Sequence, residues 1–173
     1  MVIDYDQLAR DAVKPGSPVL ARIAQEFGAE FITPDGCLDR AVMANRIFND
    51  PPARVRLESL IHPQVFALAT ERETFAITEN SNAIVIHDIP LLVEKGLAPQ
   101  FDAVIVVNTQ SPIREKRLIE ARGLSPAEAR ARIAAGASDA ERQVAGTHFL
   151  NGNGTPENLE AQVSDLWQLL GNL

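Results

Sequence analysis

The sequence predicts an α/β protein built on a parallel sheet, and three observations carry the prediction. The run Ala83-Ile84-Val85-Ile86 is apolar and β-branched and closes on His87-Asp88-Ile89-Pro90, which reads as a strand buried on both faces that ends at a polar site. A second such run occupies residues 101–108 after a short connection. A helix start at Ser111-Pro112 stands directly behind it, and helical sequence around buried strands is the pattern of a parallel sheet with covered faces. Sheets of this kind keep their chemistry at the strand ends, so function is sought there.

Composition narrows the classes. A chain of 173 residues that is 46% apolar makes one domain with a real core. Net charge is −7, which argues against a general nucleic-acid binder. Residues 114–142 depart from that balance, with seven basic residues against five acidic ones, and suggest a local anionic ligand. Single arginines there are equally well read as solvated partners of neighbouring glutamates. No apolar run approaches the roughly 18 residues of a membrane span, and nothing resembles a signal peptide, so a cytoplasmic protein is expected. Cys37 is the only cysteine, which excludes an internal disulfide, and His62, His87 and His148 show no metal-ligand spacing.

In chain order, Val2-Ile3-Asp4-Tyr5-Asp6 reads as a short strand delivering two carboxylates, with Asp6 placed to cap a helix over residues 7–13. Strand alternation puts Asp4 and Asp6 on one side, either facing a ligand or acting only as turn and cap residues. Lys14-Pro15-Gly16-Ser17-Pro18 breaks the chain before a helix over 19–27 that stops at Gly28. From Asp39 the pattern is helical again, with Ala41, Val42, Ile47 and Phe48 on a shared face. Asp50-Pro51 starts another helix, which His62-Pro63 should interrupt because the residue before proline is pushed out of the α region. A further helix over 64–73 leads back to the sheet. Residues 15–78 therefore form a helical insertion, either an acceptor-binding arm or a long crossover.

Beyond the second strand, Ser125 with Glu128 and Ser138 with Glu141 have capping-box spacing. Short helices separated by Gly123-Leu124 and Gly136-Ala137 are how a hinged flap over 113–145 would be built, and its arginines could close over a phosphate. Thr147-His148-Phe149-Leu150-Asn151 is the predicted last strand. A final helix from Pro156 carries Leu159, Val163, Leu166 and Leu170 at the spacing of a buried stripe, with Trp167 beside it.

Val2 to Arg10 in the order V-I-D-Y-D-Q-L-A-R, Val13-Lys14-Pro15-Gly16-Ser17-Pro18, Ile61-His62-Pro63, Asp88-Ile89-Pro90-Leu91-Leu92-Val93-Glu94, the arginines between Arg117 and Arg142, and Asn151-Gly152-Asn153-Gly154 together resemble the dephospho-CoA kinase family. The resemblance runs in order along nearly the whole chain. It implies a P-loop NTPase-like three-layer fold with a parallel sheet, a helical acceptor-binding insertion at 15–78, a helical lid at 113–145, and core segments at 1–14, 79–112 and 146–173. The implied activity is transfer of the γ-phosphate of ATP to the ribose 3′-hydroxyl of dephospho-CoA, the last step of coenzyme A synthesis. Asp6 matches the general base, and Arg132 and Arg142 match catalytic lid arginines. Arg10, His62, Pro63, Asp88 and Leu91 match acceptor-binding positions, while Arg117, Arg122 and Arg142 match nucleotide-binding ones. Asp88 also occupies a strand-end position where such proteins hold Mg²⁺. ATP and dephospho-CoA are the implied partners, and a monomer is expected.

The chain departs from the family in three places. No G-x-x-x-x-G-K-[ST] motif occurs, and none of Lys14, Lys95 and Lys116 follows a glycine. By the resemblance, about 25 residues of strand, phosphate loop and helix are expected ahead of Met1. Without them the first strand and phosphate loop are absent, ATP should bind poorly, and the polypeptide should be inactive. A non-catalytic binding protein derived from such a kinase is the alternative. Tyr5 stands where the family usually has a small residue, and Gly136 where it usually has glutamine.

Overall fold

The computed structural model describes residues 1–171, as an α/β chain with parallel strand pairs and many helices. Its contacts divide it into two compact units, one at Met1–Pro90 and one beginning at Leu91.

In the first unit, β1 (Val2–Asp4) pairs in parallel with β2 (Ile86–Asp88), setting Ile3 opposite His87 and Asp4 opposite Asp88. The strand expected from Ala83 is thus shorter than its apolar run, and it is not buried on both faces, since Ile86 is 39% exposed. A two-stranded pair leaves much of each face uncovered. The helix after β1 also starts earlier than expected. α1 (Tyr5–Ala12) is capped by Asp4, whose carboxylate accepts the Gln7 N–H at 2.9 Å, so Asp6 lies in the first helical turn rather than at the cap.

α2 (Pro18–Phe27) follows a Ser17 cap, and α3 (Arg40–Phe48) follows Asp39, whose carboxylate accepts from Ala41 and Val42. Met43 and Ile47, one turn apart, make the inward face of α3, and Phe48 at its end is 86% exposed, against the shared face expected for it.

α4 (Pro51–Glu79) is continuous, and Pro63 sits inside it instead of breaking it. A proline inside a helix costs about 3 kcal/mol. Burial on both sides of it offsets that cost: Leu57 and Leu60 enter a core with Val19, Leu20, Ile23 and Phe31, while Val65 and Ala69 enter a second core with Ile3, Leu8 and Ala12.

In the second unit, β3 (Ile105–Asn108) pairs in parallel with β4 (His148–Asn151), Val106 lying opposite Phe149. The expected last strand is present. Thr147 anchors the pair, its hydroxyl accepting the Val104 N–H at 2.8 Å and its own N–H reaching the Val104 carbonyl at 2.9 Å. Between these strands run α5 (Ser111–Arg122), α6 (Pro126–Ala134) and α7 (Asp139–Ala145). Both predicted capping boxes form, at Ser125 with Glu128 and at Ser138 with Glu141. Gly123 ends α5 at φ 63°, a left-handed position that glycine takes at low cost.

The closing helix α8 (Pro156–Leu170) has the expected period but buries none of its residues. Val163 and Trp167 are exposed, and β4 is the main element against which the helix packs. No described helix is long and apolar enough to cross a membrane.

Candidate active site

The ends of β1 and β2 assemble the acidic part of the site. Because Asp4 takes the cap, Asp6 is left exposed in the first turn of α1, with no hydrogen bond or ion pair among the described residues. Arg10, one turn further along α1, is likewise exposed and forms no ion pair there. Asp88 ends β2 exposed, in register with Asp4.

Two neighbouring carboxylates, one of them already accepting a helix N–H, suit a hard, largely hydrated cation such as Mg²⁺. No group of three or more His, Cys, Asp or Glu side chains comes together among the described residues. An ion here would thus take most of its ligands from water and phosphate.

His62 and Pro63 sit in the middle of α4, His62 half-buried and Pro63 exposed. The His62 ring meets Phe66 edge-to-face at 6.4 Å. Near the end of α1, Asp11 receives Arg72 of α4 at 2.9 Å, Lys14 at 2.9 Å and Gln7 at 3.0 Å, which fastens α1 to α4. The hydrogen bond from Lys14, followed by that from Gln7, holds the Asp11 carboxyl below the usual carboxylate range.

The arginines lie in the second unit and have distinct environments. Arg117 of α5 donates to the carbonyls of Gly152 at 2.8 Å and Gly154 at 3.0 Å, tying down the Asn151-Gly152-Asn153-Gly154 turn. Asn153 in that turn accepts the Gln110 N–H at 2.8 Å, immediately before α5. Arg142 of α7 donates to the Ala137 carbonyl and to Asp139, which also receives Arg114 at 3.0 Å. Arg122 and Arg132 are exposed and form no ion pair among the described residues. Leu91, 43% exposed, opens the turn that carries Glu94. A shallow apolar groove of about 710 Å³, lined by Val93, Phe101, Val104, Val144 and Thr147 among others, contains none of the predicted site residues.

Sequence reasoning missed two of these arrangements. Asp4 as the cap had a readable signal, since Asp4-Tyr5-Asp6-Gln7 has capping-box spacing. Glu94 had none: its carboxylate accepts the Ala137 N–H at 2.7 Å, across 43 residues, and so pins the junction between α6 and α7.

Comparison with known proteins bears on the whole arrangement. The family model described as dephospho-CoA kinase matches residues 1–157. The dephospho-CoA kinase of Streptomyces avermitilis is 41% identical over 168 residues, covering 96% of this chain and 80% of its own length. That of Thermobifida fusca is 39% identical over 170 residues, covering 98% and 84%. The Mycobacterium tuberculosis protein of the same name is 41% identical over 167 residues, and the chain spans only 40% of its length.

Among solved structures, TT1252 from Thermus thermophilus aligns with a TM-score of 0.78 at 29% identity, over 98% of this chain and 84% of its own. The dephospho-CoA kinase from Campylobacter jejuni shares the fold, with a TM-score of 0.73 at 22% identity over 99% and 85% of the two chains. The agreement of motif order, fold and relatives across almost the full length places this chain in the dephospho-CoA kinase family.

Proposed function

We propose that these residues serve an ATP-dependent kinase that phosphorylates the ribose 3′-hydroxyl of dephospho-CoA, giving coenzyme A. Asp6 is the base. As the 3′-oxygen bonds to the γ-phosphorus and the bond to the β,γ-bridging oxygen breaks to release ADP, the hydroxyl proton passes to the Asp6 carboxylate. Residues 15–78 form the acceptor-binding arm, with Arg10, His62, Pro63, Asp88 and Leu91 as acceptor contacts. Residues 113–145 form the lid. Arg132 and Arg142 balance charge on the transferred phosphoryl group, and Arg117, Arg122 and Arg142 serve the nucleotide. Mg²⁺ held at Asp88, through water, would neutralise charge on the phosphates. The protein works as a cytoplasmic monomer.

The observation that carries this reading is the division of labour at Asp4 and Asp6. Asp4 satisfies the helix terminus, which leaves the Asp6 carboxylate exposed and uncommitted in the same unit as Asp88 and His62. In any form of the protein that turns over, Asp6→Asn is expected to lower kcat by about 10²- to 10⁴-fold with KM little changed. An unchanged kcat would remove Asp6 from the mechanism.

The 173 residues contain no phosphate-loop motif, so by themselves they lack the backbone cradle that ATP phosphates require. A polypeptide of these residues alone is expected to bind dephospho-CoA in calorimetry and to release no ADP when ATP is added. Normal turnover would overturn the expected inactivity, and absence of dephospho-CoA binding would overturn the arm.

A further inference from the structure

Tyr5 opens α1 one residue before Asp6, and its side chain joins three elements. Its hydroxyl lies 3.2 Å from Nδ1 of His87, the residue before Asp88, and the two rings are 5.9 Å apart at 51°. On its other side the Tyr5 ring meets Phe66 edge-to-face, 6.2 Å and 71°, and Phe66 meets His62 in the same manner. The second ring nitrogen of His87 faces Glu73 at 3.9 Å. Residues 62, 66 and 73 recur on one face of α4. The row Glu73, His87, Tyr5, Phe66, His62 therefore leaves α4, crosses β2 and α1, and returns to α4.

This row is built rather than incidental. The His87 side chain is 7% exposed although it sits on a short strand. Of the two ring nitrogens of His87, Nδ1 meets the Tyr5 hydroxyl and Nε2 turns toward the Glu73 carboxylate, so the ring is held from both sides. The aromatic contacts add packing of the edge-to-face kind.

We infer that Tyr5 is a positioning residue: through its own backbone it places Asp6, through His87 it places Asp88, and through Phe66 it holds both against the helix that bears His62. The inference rests on the acceptor-site reading above, and it adds what fixes the geometry of that site. Tyr5→Phe keeps the ring stack and removes only the hydroxyl. The variant is expected to stay folded, to bind dephospho-CoA about three- to tenfold more weakly in calorimetry, and to lose the hydrogen-bond signature at Nδ1 of His87 in ¹⁵N-detected histidine spectra.

Tyr5→Ala, which also removes the stack, is expected to weaken binding further. If Tyr5→Phe matches the wild type in both measurements, or loses affinity with the His87 signature intact, the positioning role is wrong while the acceptor site stands. If the wild-type chain itself fails to bind dephospho-CoA, the acceptor-site reading falls, and the role of Tyr5 with it.

Discussion

The unit at Met1–Pro90 and the unit from Leu91 onward are ordered by different forces. The first buries Ile3, Leu8 and Ile23 completely and carries two apolar clusters joined by α4. In the second, the buried side chains among the described residues are Val104, Val106, Ala129, Ala137 and Leu150, while Ile105 and Val107 stay 40% and 49% exposed. Its order comes from polar ties: Glu94 to Ala137, Arg117 to the 151–154 turn, Asp139 to Arg114 and Arg142, and capped helix starts. Apolar packing gives a rigid frame, and isolated hydrogen bonds in water contribute little each and open separately. Of the proposed acceptor contacts, Arg10, His62, Pro63 and Asp88 thus lie on the rigid frame and Leu91 in the second unit, whose proposed lid opens at low cost, as gating requires.

The largest expected effect tests the rigid side. Leu8→Ala removes a fully buried side chain from the cluster around Ile3, Ala12, Val65 and Ala69 and is expected to cost about 2–5 kcal/mol in denaturant unfolding. Leu169→Ala, on the exposed side of α8, is expected to stay within about 0.5 kcal/mol. Similar losses for the two would mean that α8 is covered and that the contrast is wrong.

The next effect tests the polar ties. Arg117→Ala frees the turn at 151–154 and is expected to cost about 1 kcal/mol locally. Hydrogen exchange should read it as about fivefold faster exchange at Gly152, whose N–H reaches the Asn108 carbonyl at 2.7 Å, and at Gln110. Glu94→Ala should act alike at Ala137. Faster exchange spread over all of α5 to α8 would show instead that these ties hold the unit as a whole.

The same contrast explains what was legible in the sequence. Helix starts at Ser125 and Ser138 depend on partners three residues away, so spacing alone announced them. The helix break at Pro63 failed because the rule is local, whereas burial of Leu57, Leu60, Val65 and Ala69 on both sides of the proline is tertiary. The α8 period was visible, but a period says nothing of what covers it. Among the expected site residues, Asp88 ends β2 as its run suggested, whereas Asp6 lies in the first turn of α1 rather than at its cap. The long-range ties, Tyr5 to His87 and Glu94 to Ala137, join residues 82 and 43 positions apart and leave no local trace.

Acid should separate the two units by the smallest and most local effect. Asp11 is held below the usual carboxylate range chiefly by Lys14, and Glu128, Glu141 and Glu157 chiefly by the hydroxyls of Ser125, Ser138 and Thr155. A carboxyl depressed by folding stabilises the native state above its unfolded pKa, near about 4, and that contribution is lost as pH falls through the lower folded value. The sign is the same for all four. Their reach is not, since Asp11 links α1 to α4 through Arg72, while the three glutamates act at the first turns of α6, α7 and α8. In an NMR titration from pH 6 to 2.5, amides at the starts of α6, α7 and α8 should lose protection one helix at a time, whereas α1 and the facing part of α4 should loosen together. Asp11→Asn should remove the pH dependence of that joint loosening and leave the helix starts of the second unit on their wild-type curves. A shift of those curves in the variant would mean that acid acts on one cooperative body, and the separation of rigid frame from loosely tied segment would not hold.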